Sequence, residues 1–68
     1  MMTTDIWFAS YLLLSGIVLK DYKVISRGKG QFIFDVTAEE WKQHKLAFRT
    51  SDVNTIAEYQ KQLKDLLY

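Results

Sequence analysis

The stretch from Ile17 to Val36, IVLKDYKVISRGKGQFIFDV, constrains the fold more than any other part of the chain. Two runs of alternating apolar and polar side chains flank Arg27-Gly28-Lys29-Gly30, and alternation with a period of two is the pattern of a half-buried strand. In the second run Phe32, Phe34 and Val36 share one face, while Gln31, Ile33 and Asp35 share the other. In the first run, roughly Val18 to Arg27, Tyr22, Val24 and Ser26 point one way and Lys23, Ile25 and Arg27 the other. The Gly-Lys-Gly connection offers positions free to take positive φ, as tight hairpin turns require. The stretch is therefore expected to form a β-hairpin. Two strands alone are weak, so helices must cover the Phe32/Phe34 face.

The flanking sequence supplies those helices. Thr3-Thr4-Asp5 has hydroxyl caps followed by an acid, a helix start, and the helix it opens runs from Ile6 to Ser15 and stops at Gly16. Its apolar residues keep to no single stripe: Phe8 pairs with Leu12, Ala9 with Leu13, and Trp7 with Tyr11 and Leu14. Such a helix is buried on most sides, and part of it is expected to meet a second copy of the chain. After the hairpin, Thr37-Ala38-Glu39-Glu40 is a capping box opening a helix from about Ala38 to Phe48. Trp41 and Phe48 lie on one face of it, with His44 and Lys45 between them. Ser51-Asp52 or Asn54 then caps a last helix with an apolar stripe of Ile56, Tyr59, Leu63, Leu66 and Leu67. Its wet side carries Glu58, Lys61, Lys64 and Asp65. The expectation is one α+β domain over residues 1–68, in the order α-β-β-α-α, with the hairpin packed against helices.

Size makes that core marginal. A domain of 68 residues buries only about 60% of the surface its unfolded chain exposes. Cysteine is absent and His44 is the lone histidine, so disulfides and cysteine- or histidine-rich metal sites are excluded. Hydrophobic residues make up 49% of the chain and aromatics 15%, which favours hiding the excess by self-association. A homo-oligomer is expected. Nine basic and eight acidic side chains leave a net charge of +1, which gives no electrostatic case for gripping a duplex. The longest apolar run, near Ile6 to Leu14, is shorter than the ~20 residues a membrane span needs and follows no basic stretch. No membrane partner and a cytoplasmic location are expected.

The order of pieces is similar to that of a known group of proteins. Thr3-Thr4-Asp5 with Ala9-Ser10-Tyr11-Leu12-Leu13 and Gly16, the Phe32-Ile33-Phe34-Asp35 strand, the acidic-aromatic helix after it and the Leu63-Lys64…Tyr68 ending resemble a family of small uncharacterised domains. That family is encoded mainly by phages, prophages and mobile elements. The resemblance covers nearly the whole chain but rests on capping and core residues, and Trp7 and Trp41 stand where less bulky residues are usual. It implies a phage-type accessory protein inside a bacterial cell, and no functional residue comes with it.

Catalytic constellations are missing from the pattern. His44 has no Ser or Asp at an obvious spacing, and nucleophilic catalysis needs a base beside its nucleophile. Glu39 and Glu40 are adjacent on a helix, so their side chains diverge by about 100°, and the cap explains them. Arg27-Gly28-Lys29-Gly30 lacks P-loop spacing and precedes a strand. Nothing in the sequence supports an enzyme or calls for a cofactor.

Binding is easier to argue. Lys20, Lys23, Arg27 and Lys29 gather near the hairpin tip, where cations among glycine amides suit an anion, although lysines there also discourage edge aggregation. Trp7, Tyr11, Tyr22, Trp41 and Phe48 exceed the needs of one small core, and aromatic faces suit either purine stacking or a subunit interface. The reading that follows is an oligomeric, non-enzymatic protein that sequesters a small anionic nucleotide signal of host defence in pockets between subunits. Trp7, Tyr11 or Trp41 would stack on the base, and Arg27, Lys29 or Arg49 would pair with phosphate. Two alternatives stand beside it. One is a nucleic-acid-binding accessory of phage replication or transcription that uses the basic hairpin. The other is a protein-interaction module directed at a host protein.

Overall fold

The computed structural model describes residues 1–68, and the hairpin is its centre. Strand β2 (Leu19–Ser26) pairs antiparallel with β3 (Lys29–Phe34). A third strand not expected from the sequence, β1 (Met2–Thr3), pairs antiparallel with the other edge of β3, giving the order β1-β3-β2. Helices α1 (Ile6–Leu14), α2 (Ala38–Phe48) and α3 (Val53–Leu67) complete an α+β fold in the order β-α-β-β-α-α. No helix is long and apolar enough to cross a membrane.

The added strand corrects the reading of Thr3-Thr4-Asp5. Asp5 alone is the N-cap of α1, its carboxylate accepting from the Trp7 and Phe8 amides at 3.0 and 3.4 Å. Thr3 lies opposite Phe32 on the buried face of the sheet, and its hydroxyl accepts the Asp5 amide at 3.1 Å. A two-residue strand has no local signature, because what makes it a strand lies some thirty residues away in sequence.

The other helix ends follow their sequence signals. Gly16, at φ +87°, closes α1 in a Schellman arrangement: the Ile17 amide donates to the Leu12 carbonyl and the Gly16 amide to that of Leu13, both at 3.0 Å. Ile17 then packs against the core that contains Leu12, the apolar contact that accompanies this motif. Both bonds of the Thr37/Glu40 capping box are present, and Asp52 caps α3.

The hairpin turn is tighter than the glycines suggested. Arg27 and Gly28 form the loop, with Gly28 at φ +78°, and Ser26 faces Lys29. Gly30 sits inside β3 with ordinary φ, and its lack of a side chain serves packing instead. A Cβ there would stand 2.5 Å from Leu67 Cδ2 and 3.0 Å from the Lys23 carbonyl oxygen, so the end of α3 rests directly on the strand. Strand β2 alternates regularly only from Asp21 to Val24, because register irregularities interrupt it between Leu19 and Asp21 and between Val24 and Ser26.

The core joins Phe32 and Phe34 of β3, Phe8, Ala9 and Leu12 of α1, Trp41 of α2, and Leu63 and Leu67 of α3. Helix α1 is enclosed by this chain's own elements. It packs chiefly on α3 and also meets α2, β1 and β3, and its small residues Ala9 and Ser10 are fully buried. Ser10 satisfies its hydroxyl by donating to the Ile6 carbonyl at 2.6 Å. Among the large apolar residues of α1, Phe8 and Leu12 are buried, Ile6, Trp7, Tyr11 and Leu13 are half-buried, and Leu14 is exposed. The α3 stripe is buried at Ile56, Leu63 and Leu67 and half-buried at Tyr59, while Leu66 is exposed.

Candidate functional site

The chain has a hollow of about 250 Å³ where the start of α1 faces the second half of α2. Thr3, Asp5, Phe8, Lys45, Phe48 and Arg49 line it, drawn from three separate stretches of sequence. Lys45 and Arg49 stand four residues apart, one turn of helix, and so present two cations on the same side. Phe8 and Phe48 form the apolar floor, their ring centroids 5.4 Å apart and their planes tilted by 56°. The Lys45 ammonium lies 5.5 Å from the centroid of the Phe8 ring, within cation–π range. Asp5 adds a carboxylate to the rim, one of whose oxygens is occupied by the α1 amides.

Such a lining can hold an anion that carries a flat or apolar part. A guanidinium offers a planar fork of donors and an ammonium a compact charge. The Thr3 hydroxyl, already accepting from the Asp5 amide, retains its own proton to donate. The rings exclude water from one side of the hollow, where charge-assisted hydrogen bonds gain strength.

Of the six residues singled out from the sequence, the structure brings Arg49 alone to this hollow. Trp41 is 8% exposed, and its ring meets Phe8 edge to face at 5.0 Å, which makes it a core residue with no face left for a ligand. Tyr11 is half-buried against α2, its ring 5.6 Å from Phe48 and 6.2 Å from His44. Trp7 is half-buried on α1, outside the hollow's lining. Much of the aromatic excess is thus a cluster within one chain, Phe8, Tyr11, Trp41 and Phe48.

Arg27 and Lys29 are exposed at the hairpin, away from the other four. Tyr68 stands beside the turn between them, the Arg27 guanidinium lying 5.7 Å from the centroid of its ring. Tyr68 also fills the space beside Gly28, where its hydroxyl would be 2.5 Å from an added Cβ. The glycine-flanked tip that suited an anion in the sequence thus has the exposed side chain of Tyr68 beside it.

Lys45, Phe8, Asp5 and Thr3 line the hollow without being expected there from the sequence, and Phe48, one of the aromatics beyond the needs of a small core, joins them. The spacing of Lys45 and Arg49 was a usable signal. The approach of Thr3, Asp5 and Phe8 to them was not, since it depends on how α1 crosses α2. No family model matches the chain, and no match is found among curated proteins or solved structures.

Proposed function

We propose that the protein is a non-catalytic, stoichiometric binder of a small anion bearing a planar ring, with a mononucleotide as the ligand class. The observation that carries this reading is the pairing of Lys45 and Arg49 above Phe8 and Phe48 in one hollow. Phosphate meets the two cations and the Thr3 hydroxyl, and the ring lies along the half-buried Phe48, which packs on the buried Phe8. Small-molecule clefts usually measure about 300–1,000 Å³. A hollow of about 250 Å³ therefore takes one phosphate with part of a base or sugar, and leaves the rest of the nucleotide in solvent. Binding that removes a free nucleotide without consuming it is what a phage-type accessory would use to quiet a host signal, and this setting rests on the sequence resemblance alone.

Isothermal titration of the full chain with adenosine 5′-monophosphate, and separately with inorganic phosphate, tests the reading. One site per chain is expected, with the nucleotide tighter than phosphate. Lys45→Ala and Arg49→Ala are each expected to weaken it about tenfold or more, the scale of a lost charge-assisted hydrogen bond. No saturation up to millimolar ligand, or variants that bind as well as the parent, would sink the proposal. A single-stranded oligonucleotide bound more tightly than the mononucleotide, with affinity falling steeply in salt, would favour the nucleic-acid alternative instead.

A further inference from the structure

We infer that strand β2 is a self-complementary edge, and that two copies of the chain join there in an antiparallel pair centred on Tyr22. In the order β1-β3-β2 the eight-residue β2 has a strand on one side only, and it meets the rest of the chain chiefly through β3. Apolar residues on and beside it stand open to solvent: Val18 is 75% exposed, Ile25 55%, Val24 48% and Tyr22 40%. An open edge of this length with apolar side chains is a template for another strand.

Backbone alternation identifies which groups face outward. Met1 and Phe34 exchange both hydrogen bonds, the Phe34 amide to Met1 at 2.9 Å and the Met1 ammonium to Phe34 at 3.0 Å. Phe34 therefore turns its peptide groups toward β1, and Ile33 and Gln31 turn theirs toward Asp21 and Lys23 of β2. By the same alternation the groups of Tyr22 and Val24 face away from the sheet. A separate contact agrees: the Tyr22 amide is taken by the carboxylate of Asp21 at 2.8 Å instead of by a strand.

Charge and the regularity of the strand together select the register. With Tyr22 facing Tyr22 of the second copy, Asp21 falls opposite Lys23 twice, once on each side of the two-fold axis. Moving the axis to Lys23 sets two lysines opposite each other, and moving it to Asp21 sets two aspartates so, and like charges directly opposite are unfavourable. The Tyr22 register also lies within the regular stretch Asp21 to Val24, between the two irregularities. When the pair forms, each Tyr22 amide bonds the other copy's Tyr22 carbonyl, and each Asp21 carboxylate is released to its lysine. The product is a continuous six-stranded sheet, and the hollow beside β1 lies at the far edge from the joint.

Sedimentation of the full chain across a concentration series tests the inference without any ligand, so its outcome is separate from that of the nucleotide titration. A monomer–dimer equilibrium is expected. Asp21→Lys and Lys23→Asp should each raise the dissociation constant about tenfold or more, since two favourable pairs become two repulsive ones. The two single variants mixed should dimerise with each other, and the double reversal should restore the parent's behaviour. Circular dichroism on each variant confirms that the fold persists. A parent that stays monomeric at millimolar concentration, or a dimer indifferent to both reversals, would overturn it.

Discussion

Leu67 Cδ2 occupies the place where a side chain on Gly30 would begin, 2.5 Å from an ideal Cβ. The last turn of α3 is thereby fixed to the central strand at its only residue without a side chain. Gly30→Ala must displace Leu67 from the core, where it is 5% exposed, or push into the Lys23 carbonyl at 3.0 Å. A loss of about 1–3 kcal/mol is expected, the usual scale of overpacking. Gly28→Ala meets only the ring of an exposed terminal tyrosine, which can swing aside. Its cost of about 1–2 kcal/mol comes from the positive φ of the turn. Urea denaturation of both, each combined with Tyr68→Ala, separates the causes. Removing Tyr68 should leave the Gly30→Ala loss unchanged and should not abolish that of Gly28→Ala.

Trp41 makes a second test, since its tryptophan was open to two roles in the sequence. Buried edge to face against Phe8, it should behave as a core residue. Trp41→Ala is expected to destabilise by about 3–5 kcal/mol, much of the stability of so small a domain. Trp41→Phe should recover most of the loss and bind nucleotide as the parent does. If Trp41→Phe unfolds like the parent in urea yet fails to bind nucleotide, the residue belongs to the site after all.

Asp5 joins stability and binding in one side chain. It caps α1 and also stands on the rim of the cationic hollow. Asparagine caps as well as aspartate but carries no charge. Asp5→Asn should therefore leave the unfolding midpoint nearly unchanged while tightening phosphate binding several-fold. Asp5→Ala should lose about 1 kcal/mol of stability. Unfolding and titration of the two variants side by side check both halves, and a phosphate affinity unaltered in Asp5→Asn would remove Asp5 from the site.

The parts of the fold that the sequence made legible are those written within a few neighbouring residues. The Thr37/Glu40 box begins α2 at Ala38 as expected, the Gly16 ending stops α1, and Phe32 and Phe34 bury the face that alternation assigned them. What escaped depends on distant partners. Strand β1 exists because Thr3 lies beside Phe32, and Gly30 is needed because Leu67 lands on it. The candidate site escaped for the same reason. Trp41 and Tyr11 read as spare because their partners Phe8, Phe48 and His44 are neighbours in space and not along the chain. Lys45, between Trp41 and Phe48 on one helix face, carried no role in the sequence, since only the crossing of α1 makes it one wall of a hollow.

The position of β3 between its two neighbours has a consequence for valence. One edge of the sheet ends in the short β1 beside the hollow, and the other is the long open β2. In the inferred pair the two β1 strands are separated by five strand spacings, about 24 Å at roughly 4.8 Å each. No mononucleotide spans that gap, so the two hollows fill independently and neither completes the other. Such an assembly is bivalent without being a chelator: it carries two ligands per particle, and can cross-link a longer polyanion where a single chain would only decorate it.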